Sequence, residues 1–136
     1  MLRIVAFCAM LALGGLPLHA EVIDVDGAGL ERLRADGVPV IDVRRADEWR
    51  ETGVIEDSHL LTFYDKQGRY DLERWLPALA RIAESGQPVA FICRSGKRSA
   101  RVARMLDERF GYGRVYTARE GILGWIGEGR PTVERP

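Results

Sequence analysis

Two short runs of apolar residues, 38–43 and 89–92, constrain the fold of this chain more than any other feature. Valine and isoleucine make up four of the six residues in the first run and two of the four in the second. Neither run alternates between apolar and polar residues, and this absence of alternation is typical of strands that are buried on both faces of a sheet. Such strands are usually parallel, and parallel strands need crossover connections, most often helices. The pattern therefore predicts an α/β fold in which helices cover both faces of a sheet.

The remaining segments alternate between strand and helix patterns. Further strands are predicted at residues 22–25, 59–62 and 114–117. Helices are predicted at residues 27–36, 46–52, 72–82, 99–110 and 121–126, with Pro77 either opening or kinking the third of them. This alternation predicts a central, mostly parallel sheet, in which ligands bind beyond the carboxyl ends of the strands.

Residues 1–20 have the pattern of an export signal. Arg3 gives a positive start, residues 4–16 form an apolar stretch, and the residues that follow resemble a cleavage region. The apolar stretch is shorter than the roughly 20 residues that a membrane-spanning helix needs. We therefore predict a signal peptide at 1–20, a single domain at 21–136, and a periplasmic or secreted protein without a stable membrane span after cleavage.

Charge and cysteine content narrow the function classes. The chain has 20 basic and 20 acidic residues and a formal net charge of zero, so no overall field points to nucleic acid or to a membrane surface. After loss of residues 1–20, Cys93 is the only cysteine and His59 the only histidine. We therefore expect no internal disulfide, no metal and no organic cofactor, and we interpret His59 as a structural or surface residue.

Cys93 follows the second apolar run at a strand-to-helix turn. It opens a short polar loop with the sequence Arg94-Ser95-Gly96-Lys97-Arg98. Free backbone N–H groups, the positive end of the following helix and the loop cations all favour a thiolate at such a position. The sequence therefore predicts a nucleophilic sulfur in an anion-binding loop, with Gly96 where a side chain would clash. Arg101 and Arg104 continue the run of cations and are interpreted as an exposed polar face.

Three motifs resemble the rhodanese (sulfurtransferase) family, in the order that this family uses. They are Ile41-Asp42-Val43-Arg44, Cys93-Arg94-Ser95-Gly96-Lys97-Arg98-Ser99 and Gly121-Ile122-Leu123-Gly124-Trp125. The resemblance covers roughly residues 22–127 and is nearest to small exported single-domain members, including the phage-shock type. It implies the rhodanese-like α/β fold, a central mostly parallel sheet with helices on both faces.

The resemblance also implies a thiosulfate sulfurtransferase. Catalytic Cys93 would carry sulfur as a persulfide from a small anionic donor such as thiosulfate to a thiol or cyanide acceptor, a protein thiol included. The implied substrate-binding residues are Arg94, Ser95, Gly96, Lys97, Arg98, Ser99 and Arg44. Asp42 is expected to hold the loop geometry as a structural residue, and for Arg44 a substrate contact and a structural pairing both remain open. Glu48 and Trp49 are expected to cap and pack, and Trp125 to lie in the core.

Two alternatives remain beside sulfur transfer by an enzyme. Related Cys-dependent phosphatases and arsenate reductases carry five residues between cysteine and arginine, whereas four residues separate Cys93 from Arg98. This tighter ring favours sulfur transfer. The other alternative is a non-catalytic persulfide carrier or partner-binding module, which the intact nucleophile does not separate from an enzyme. Residues 53–58 and Glu120 depart from the family pattern outside the loop, which leaves substrate entry and partner choice open.

Overall fold

The computed structural model describes residues 22–135, which alternate strictly between strand and helix. The elements are β1 (Ile23–Val25), α1 (Gly27–Ala35), β2 (Val40–Asp42), α2 (Ala46–Thr52), β3 (His59–Leu60), α3 (Leu72–Ala80), β4 (Val89–Ile92), α4 (Lys97–Phe110), β5 (Val115–Ala118) and α5 (Gly121–Gly127). The signal peptide predicted for residues 1–20 lies outside the described residues.

The five strands form one parallel sheet in the order β1-β5-β4-β2-β3. β4 lies at the centre, where Ala90 pairs with Val40 on one side and with Tyr116 on the other. Every residue of β2 and β4 is buried, as expected for strands covered on both faces. The predicted α/β fold with helices on both faces of the sheet is confirmed.

The two faces of the sheet support separate apolar cores. Successive side chains of a strand point to opposite faces, so Phe91 and Cys93 face one core while Ala90 and Ile92 face the other. The first core is completed by α3 and α4 through Trp75, Leu79, Val102 and Leu106. The second is completed by α1 and α5 through Leu30, Ile122 and Trp125. Cys93 therefore lies on the side of the sheet that α3 and α4 cover.

Local signals account for most helix ends. The Asp26 side chain caps α1 by accepting a hydrogen bond from the Gly29 N–H at 2.8 Å. Gly111 ends α4 in a left-handed conformation with φ +71°, which glycine adopts without strain. α4 begins at Lys97, two residues before the predicted start, because Gly96 with φ +98° turns the chain there.

Some predicted boundaries need correction. Pro77 lies inside α3, so the prediction that it opens this helix is wrong; the Asp71 side chain caps the helix instead. Ile82, predicted to extend the helix, lies beyond its end. β2 is shorter than the apolar run that predicted it, although Val43 still donates a backbone hydrogen bond to Ile92 at 3.0 Å.

The chain after α5 returns to the end of α2. Val133 and Val54 form an isolated antiparallel bridge with backbone hydrogen bonds of 2.9 and 2.8 Å. Trp125, buried as predicted, donates its indole N–H to the Pro131 carbonyl at 2.8 Å. The last described residues are thus bound on the β2–α2 side of the molecule.

Candidate active site

Cys93 stands at the carboxyl end of the central strand, one residue after β4. Its side chain is 1% exposed, and its Sγ accepts a hydrogen bond from the Gly96 N–H at 3.1 Å. α4, with 14 residues, starts at Lys97 directly above this turn. Its free N–H groups and dipole favour negative charge at its N-terminus. The fold therefore places the sulfur where an anion is stabilised by backbone groups.

Gly96 permits the tight turn. Its φ of +98° lies in the left-handed region, and a Cβ at this position would collide with the carbonyl oxygen of Arg119. It would also lie 3.3 Å from the carbonyl oxygen of Ala118. A side chain at position 96 would thus push the loop away from the end of β5, which gives the glycine in this loop a steric reason.

The N-terminus of α5 orients the first two peptides of the loop. Ile122 N–H donates to the Cys93 carbonyl at 2.8 Å, and Leu123 N–H donates to the Arg94 carbonyl at 3.2 Å. In a planar trans peptide the N–H points opposite to the C=O. The N–H groups of Arg94 and Ser95 therefore point away from α5. Backbone groups of the third sequence motif thus set the shape of the second.

A chain of hydroxyl groups supports the sulfur from the side of the core. Ser99 Oγ lies 3.4 Å from Cys93 Sγ and 3.2 Å from the Gly96 carbonyl oxygen, to which it donates. Thr117 in β5 donates its hydroxyl to Ser99 Oγ at 2.8 Å. All of these side chains are buried. Ser99 Oγ thus accepts hydrogen bonds from the Cys93 thiol and from Thr117, while its own proton is donated to the Gly96 carbonyl, so the hydroxyl is fixed beside the sulfur.

Asp42 and Arg44 form a buried ion pair at the end of β2. Arg44 Nη2 lies 2.8 Å from Asp42 Oδ2, and Arg44 Nε lies 3.0 Å from Asp42 Oδ1. The other donors of Arg44 bind Thr52 Oγ1 at 2.7 Å and the Gly53 carbonyl at 3.0 Å. Arg44 is 0% exposed. The pair joins the end of β2 to the end of α2 and leaves this guanidinium no contact with solvent.

Glu48 and Arg98 form a second, bidentate pair across the chain. Arg98 Nη2 and Nη1 lie 2.6 and 2.8 Å from the two Glu48 carboxylate oxygens, and Arg45 N–H donates to Glu48 at 3.1 Å. Burial alone would raise the pKa of Glu48, but the hydrogen bonds from Arg98 and Arg45 outweigh it and hold that pKa below its ordinary value. The same hydrogen bond raises the pKa of Arg98. α2 is thereby tied to the first turn of α4.

The sequence of this chain matches a known protein family over most of its length. Residues 28–128 match the rhodanese-like domain family. The chain belongs to that family. A sulfurtransferase from Allochromatium vinosum is 30% identical over 114 residues, which are 82% of this chain and 95% of the relative. Thiosulfate sulfurtransferase 18 from Arabidopsis thaliana is 26% identical over 116 residues, 82% of this chain and 83% of the relative.

A solved structure agrees with the arrangement of the elements. The rhodanese-related protein from Thermoplasma volcanium superimposes with a TM-score of 0.62 and 26% identity, over 83% of this chain and 99% of its own. The family and its sulfurtransferase relatives support a sulfurtransferase in general. The rhodanese-like fold predicted from the three motifs is therefore confirmed, and the identity of donor and acceptor is a separate question.

The structure brings the predicted site residues of this rhodanese-like domain together at one edge of the sheet, but it divides their roles. Arg94, Ser95 and Lys97 are exposed around the cysteine. Arg94 has one distant carboxylate neighbour, Glu51 at 3.8 Å, and Lys97 forms no ion pair with a described residue. These two cations are available to an incoming anion.

Two residues of the predicted substrate-binding set form ion pairs with other side chains. The guanidinium of Arg44, for which a structural pairing was also open, is engaged by Asp42, and that of Arg98 is engaged by Glu48. The structure favours the structural pairing of Arg44, and it gives Arg98 the same kind of role. Asp42, predicted to hold the loop geometry, also accepts the Arg44 backbone N–H at 3.1 Å.

Sequence reasoning missed Thr117. It is the last residue of the strand predicted at 114–117, to which no site role was assigned, and its contact with Ser99 joins residues 18 positions apart. No local pattern marks such a residue. The signal that could have found it is a threonine at the carboxyl end of a strand that is expected to be buried, because a buried hydroxyl needs a hydrogen-bond partner.

The described part of the chain has neither a cluster of metal-binding side chains nor a helix that could span a membrane. Residues 22–135 contain no group of three or more His, Cys, Asp or Glu side chains arranged to hold a metal ion. None of the helices in that range is long and apolar enough to cross a membrane. His59 is exposed in the edge strand β3 and is not among the residues around Cys93.

Proposed function

We propose that this rhodanese-like domain moves sulfane sulfur from thiosulfate to a thiol or cyanide through a persulfide on Cys93. The observation that carries the proposal is the sulfur itself: Cys93 Sγ is bound by the Gly96 N–H at 3.1 Å beneath the N-terminus of α4. A sulfur held this way needs no separate general base once it is ionised.

In the first step the Cys93 thiolate attacks the outer sulfur of thiosulfate. A bond forms between Sγ and that sulfur, the sulfur–sulfur bond of thiosulfate breaks, and sulfite leaves with the electron pair. The product carries one negative charge on the terminal persulfide sulfur. The N–H groups of the loop and of the first turn of α4 stabilise this charge, and Ser99 supports the inner sulfur from the core side.

In the second step an acceptor nucleophile attacks the terminal sulfur. The bond between the two persulfide sulfurs breaks, and its electron pair returns to Sγ as the Cys93 thiolate. A thiolate acceptor leaves as a persulfide, and cyanide leaves as thiocyanate. The two half-reactions share one site, so the kinetics are of the ping-pong type.

The exposed cations Arg94 and Lys97 are proposed to attract the donor, with Ser95, Gly96 and Ser99 completing the loop. Their positive charge lies beside a nearly buried sulfur, where it raises the local concentration of a dianion such as thiosulfate. The Arabidopsis relative named as a thiosulfate sulfurtransferase supports this choice of donor.

Phosphate chemistry fits the site less well. An arginine whose guanidinium fork is free can bind two oxygens of a tetrahedral oxyanion at once. The arginine of this loop, Arg98, already has its fork on Glu48 at 2.6 and 2.8 Å. With that guanidinium engaged and only four residues between Cys93 and Arg98, the loop suits a single sulfur atom better than a phosphate.

The place of action is proposed from the sequence of the first 20 residues. Arg3 followed by an apolar stretch has the pattern of an export signal, so we propose that the domain acts in the periplasm or outside the cell.

A carrier without turnover is the second candidate function. A carrier would keep the persulfide on Cys93 until one particular protein partner removes it.

The first experiment is an intact mass measurement of the purified protein after addition of thiosulfate and then of cyanide. We expect a gain of one sulfur atom that cyanide removes, and no gain in Cys93→Ser. Ser99→Ala is the matched neighbour, which keeps the nucleophile and should load more slowly. No gain in the wild-type protein would exclude thiosulfate as donor, and a gain that neither cyanide nor a small thiol removes would favour the carrier.

A further inference from the structure

A groove between α4 and the segment after β3 lies outside the site described so far. It encloses about 270 Å³ and is lined by side chains that include Tyr64, Tyr70, Arg101, Arg104 and Met105. We call it the α4 groove. Cys93 does not line it, and no step of the proposed sulfur transfer uses its residues.

The α4 groove has an apolar floor. Val102 and Phe63 are buried beneath it, and the ring of Tyr70 stacks on Phe63 with the ring centroids 4.9 Å apart. Tyr70 remains 51% exposed although it is a large aromatic residue. Exposed aromatic surface of this kind is enriched in the anchors of protein interfaces.

The rim of the α4 groove is positively charged. Arg101, Arg104 and Arg109 line it together with one acid, Glu108. Within residues 22–135 none of these three arginines forms an ion pair. Three unpaired cations against one carboxylate make a surface that attracts a negatively charged partner.

The α4 groove is continuous with the active-site loop through α4 itself. Arg101 and Arg104 follow Lys97 by four and seven residues, or about 6 and 10 Å at 1.5 Å per residue. Ser99, on the same helix, touches the sulfur of Cys93. A polypeptide seated in the groove would therefore lie within about two helical turns of the active-site loop at Lys97.

The excess of positive charge around the α4 groove indicates that its occupant is negatively charged. We propose that the α4 groove docks an acidic, apolar-anchored segment of a protein that delivers its acceptor thiol to Cys93. This proposal rests on the proposed function and names the class of its acceptor. The acidic side chains would meet Arg101 and Arg104, and an apolar side chain would pack against Tyr70.

Other occupants fit less well. A second copy of this chain would bring the same cations against themselves in a symmetric contact. Residues 1–21 contain a single acid, Glu21, and so lack the complementary charge. The described C-terminal residues are held elsewhere, since Val133 pairs with Val54 beside α2. A separate acidic protein segment is the occupant that the charges favour.

The test compares acceptor peptides on protein loaded with sulfur. The probes are a synthetic peptide with one cysteine, one leucine and flanking aspartates, the same peptide with asparagines in place of the aspartates, and 2-mercaptoethanol. We expect kcat/KM for the aspartate peptide to exceed that for the asparagine peptide about tenfold at low salt. In Arg101→Glu/Arg104→Glu this ratio should fall to about one or below, while 2-mercaptoethanol reacts within about twofold of wild type.

Arg81→Glu/Arg114→Glu is the matched control, because it makes the same change of charge at two exposed arginines outside the groove. This control should keep most of the peptide preference. Equal loss in both double variants would show that only the overall charge matters and would overturn the proposal. No preference for the aspartate peptide in the wild-type protein would overturn it as well.

A binding measurement separates this proposal from the proposed function. The fluorescein-labelled aspartate peptide, with serine in place of its cysteine, is titrated with Cys93→Ser protein and followed by fluorescence anisotropy. We expect binding that Arg101→Glu/Arg104→Glu abolishes. If wild-type protein fails to load sulfur but this binding is seen, the sulfur-transfer proposal fails and the docking surface stands. If loading occurs and the peptide does not bind, the docking proposal alone is overturned.

Discussion

The four cations of the predicted site, Arg44, Arg94, Lys97 and Arg98, divide into two pairs with opposite surroundings. Arg44 and Arg98 lie in or near the interior, and their guanidinium groups are matched to Asp42 and Glu48 at 2.6–3.2 Å. Arg94 and Lys97 are exposed, and the single ion pair that they make with described residues is the 3.8 Å contact of Arg94. Cations that are equivalent in the sequence thus have separate tasks: one pair holds the frame of the site, and the other pair is available to a ligand.

The largest effect expected from breaking this division comes from Asp42→Asn. The substitution leaves the Arg44 guanidinium buried without its counter-charge, and loss of one partner of a buried pair costs about 3 kcal/mol. The urea midpoint of unfolding measures this loss. Asp47→Asn is the matched control, because Asp47 forms its ion pair with Arg45 at the surface. It should leave the midpoint near that of wild type, and equal midpoints for the two variants would contradict a structural role for Asp42.

The next effect is expected at Glu48. Glu48→Gln weakens hydrogen bonds to two charged or backbone donors, at a cost of about 2 kcal/mol at neutral pH. The pKa of Glu48 is lowered in the folded protein, so its contribution is complete above the ordinary value of 4.5 and is lost as the pH falls below it. The difference in unfolding free energy between wild type and variant should therefore shrink in acid. A constant difference between pH 7 and acid would rule out the ion pair as its cause.

The exposed pair should behave in the reverse way. Arg94→Gln and Lys97→Gln should each lower kcat/KM for thiosulfate about threefold to tenfold, because they remove charge that attracts the donor. The urea midpoint should stay near that of wild type in both. Steady-state kinetics with thiosulfate and cyanide give the first quantity. If a variant unfolds at lower urea but keeps its kcat/KM, the substituted residue has a structural role, like Arg44 and Arg98, and does not attract the donor.

The smallest expected effect is that of salt. Raising the ionic strength from about 0.05 to about 0.5 M shortens the Debye length severalfold and screens the exposed cations more than the buried pairs. The rate of sulfur loading should fall about twofold to threefold, and the urea midpoint should change little. Loading that is insensitive to salt would show that the exposed cations do not attract the donor, and recognition of the donor would then fall to the backbone N–H groups of the loop.

Sequence periodicity was sufficient to predict the buried strands of the sheet and the strand-to-helix turn that carries Cys93. β4 has the predicted bounds because a buried central strand needs apolar side chains on both faces, and that requirement is visible in four consecutive residues. The predicted end of α4 at residue 110 is also correct, because Gly111 turns the chain in a left-handed conformation that favours glycine. Features decided within one or two turns of chain could be predicted from the residues alone.

Features decided between distant segments could not. Arg98 pairs with Glu48 across 50 residues, and no local pattern shows which of the many acids will lie against it. Thr117 reaches Ser99 only because β5 lies beside β4 in the sheet. Asp42 and Arg44, in contrast, are two residues apart, and their pairing was one of the roles that the sequence left open. Which distant residues meet depends on the order of the strands in the sheet. The sequence pattern predicts the α/β class of the fold but not that order.

The hydrogen bonds from α5 to the Cys93 and Arg94 carbonyls have a consequence for how such a protein can change over evolutionary time. Backbone atoms and two glycines, Gly96 and Gly121, set the curvature of the loop, while the side chains at 94, 95 and 97 are exposed and make among them one ion pair with described residues, the 3.8 Å contact of Arg94 with Glu51. Those three positions can drift without loosening the sulfur from its place. A lineage could change the side chains that face a ligand there, while Cys93 and its backbone contacts stay the same.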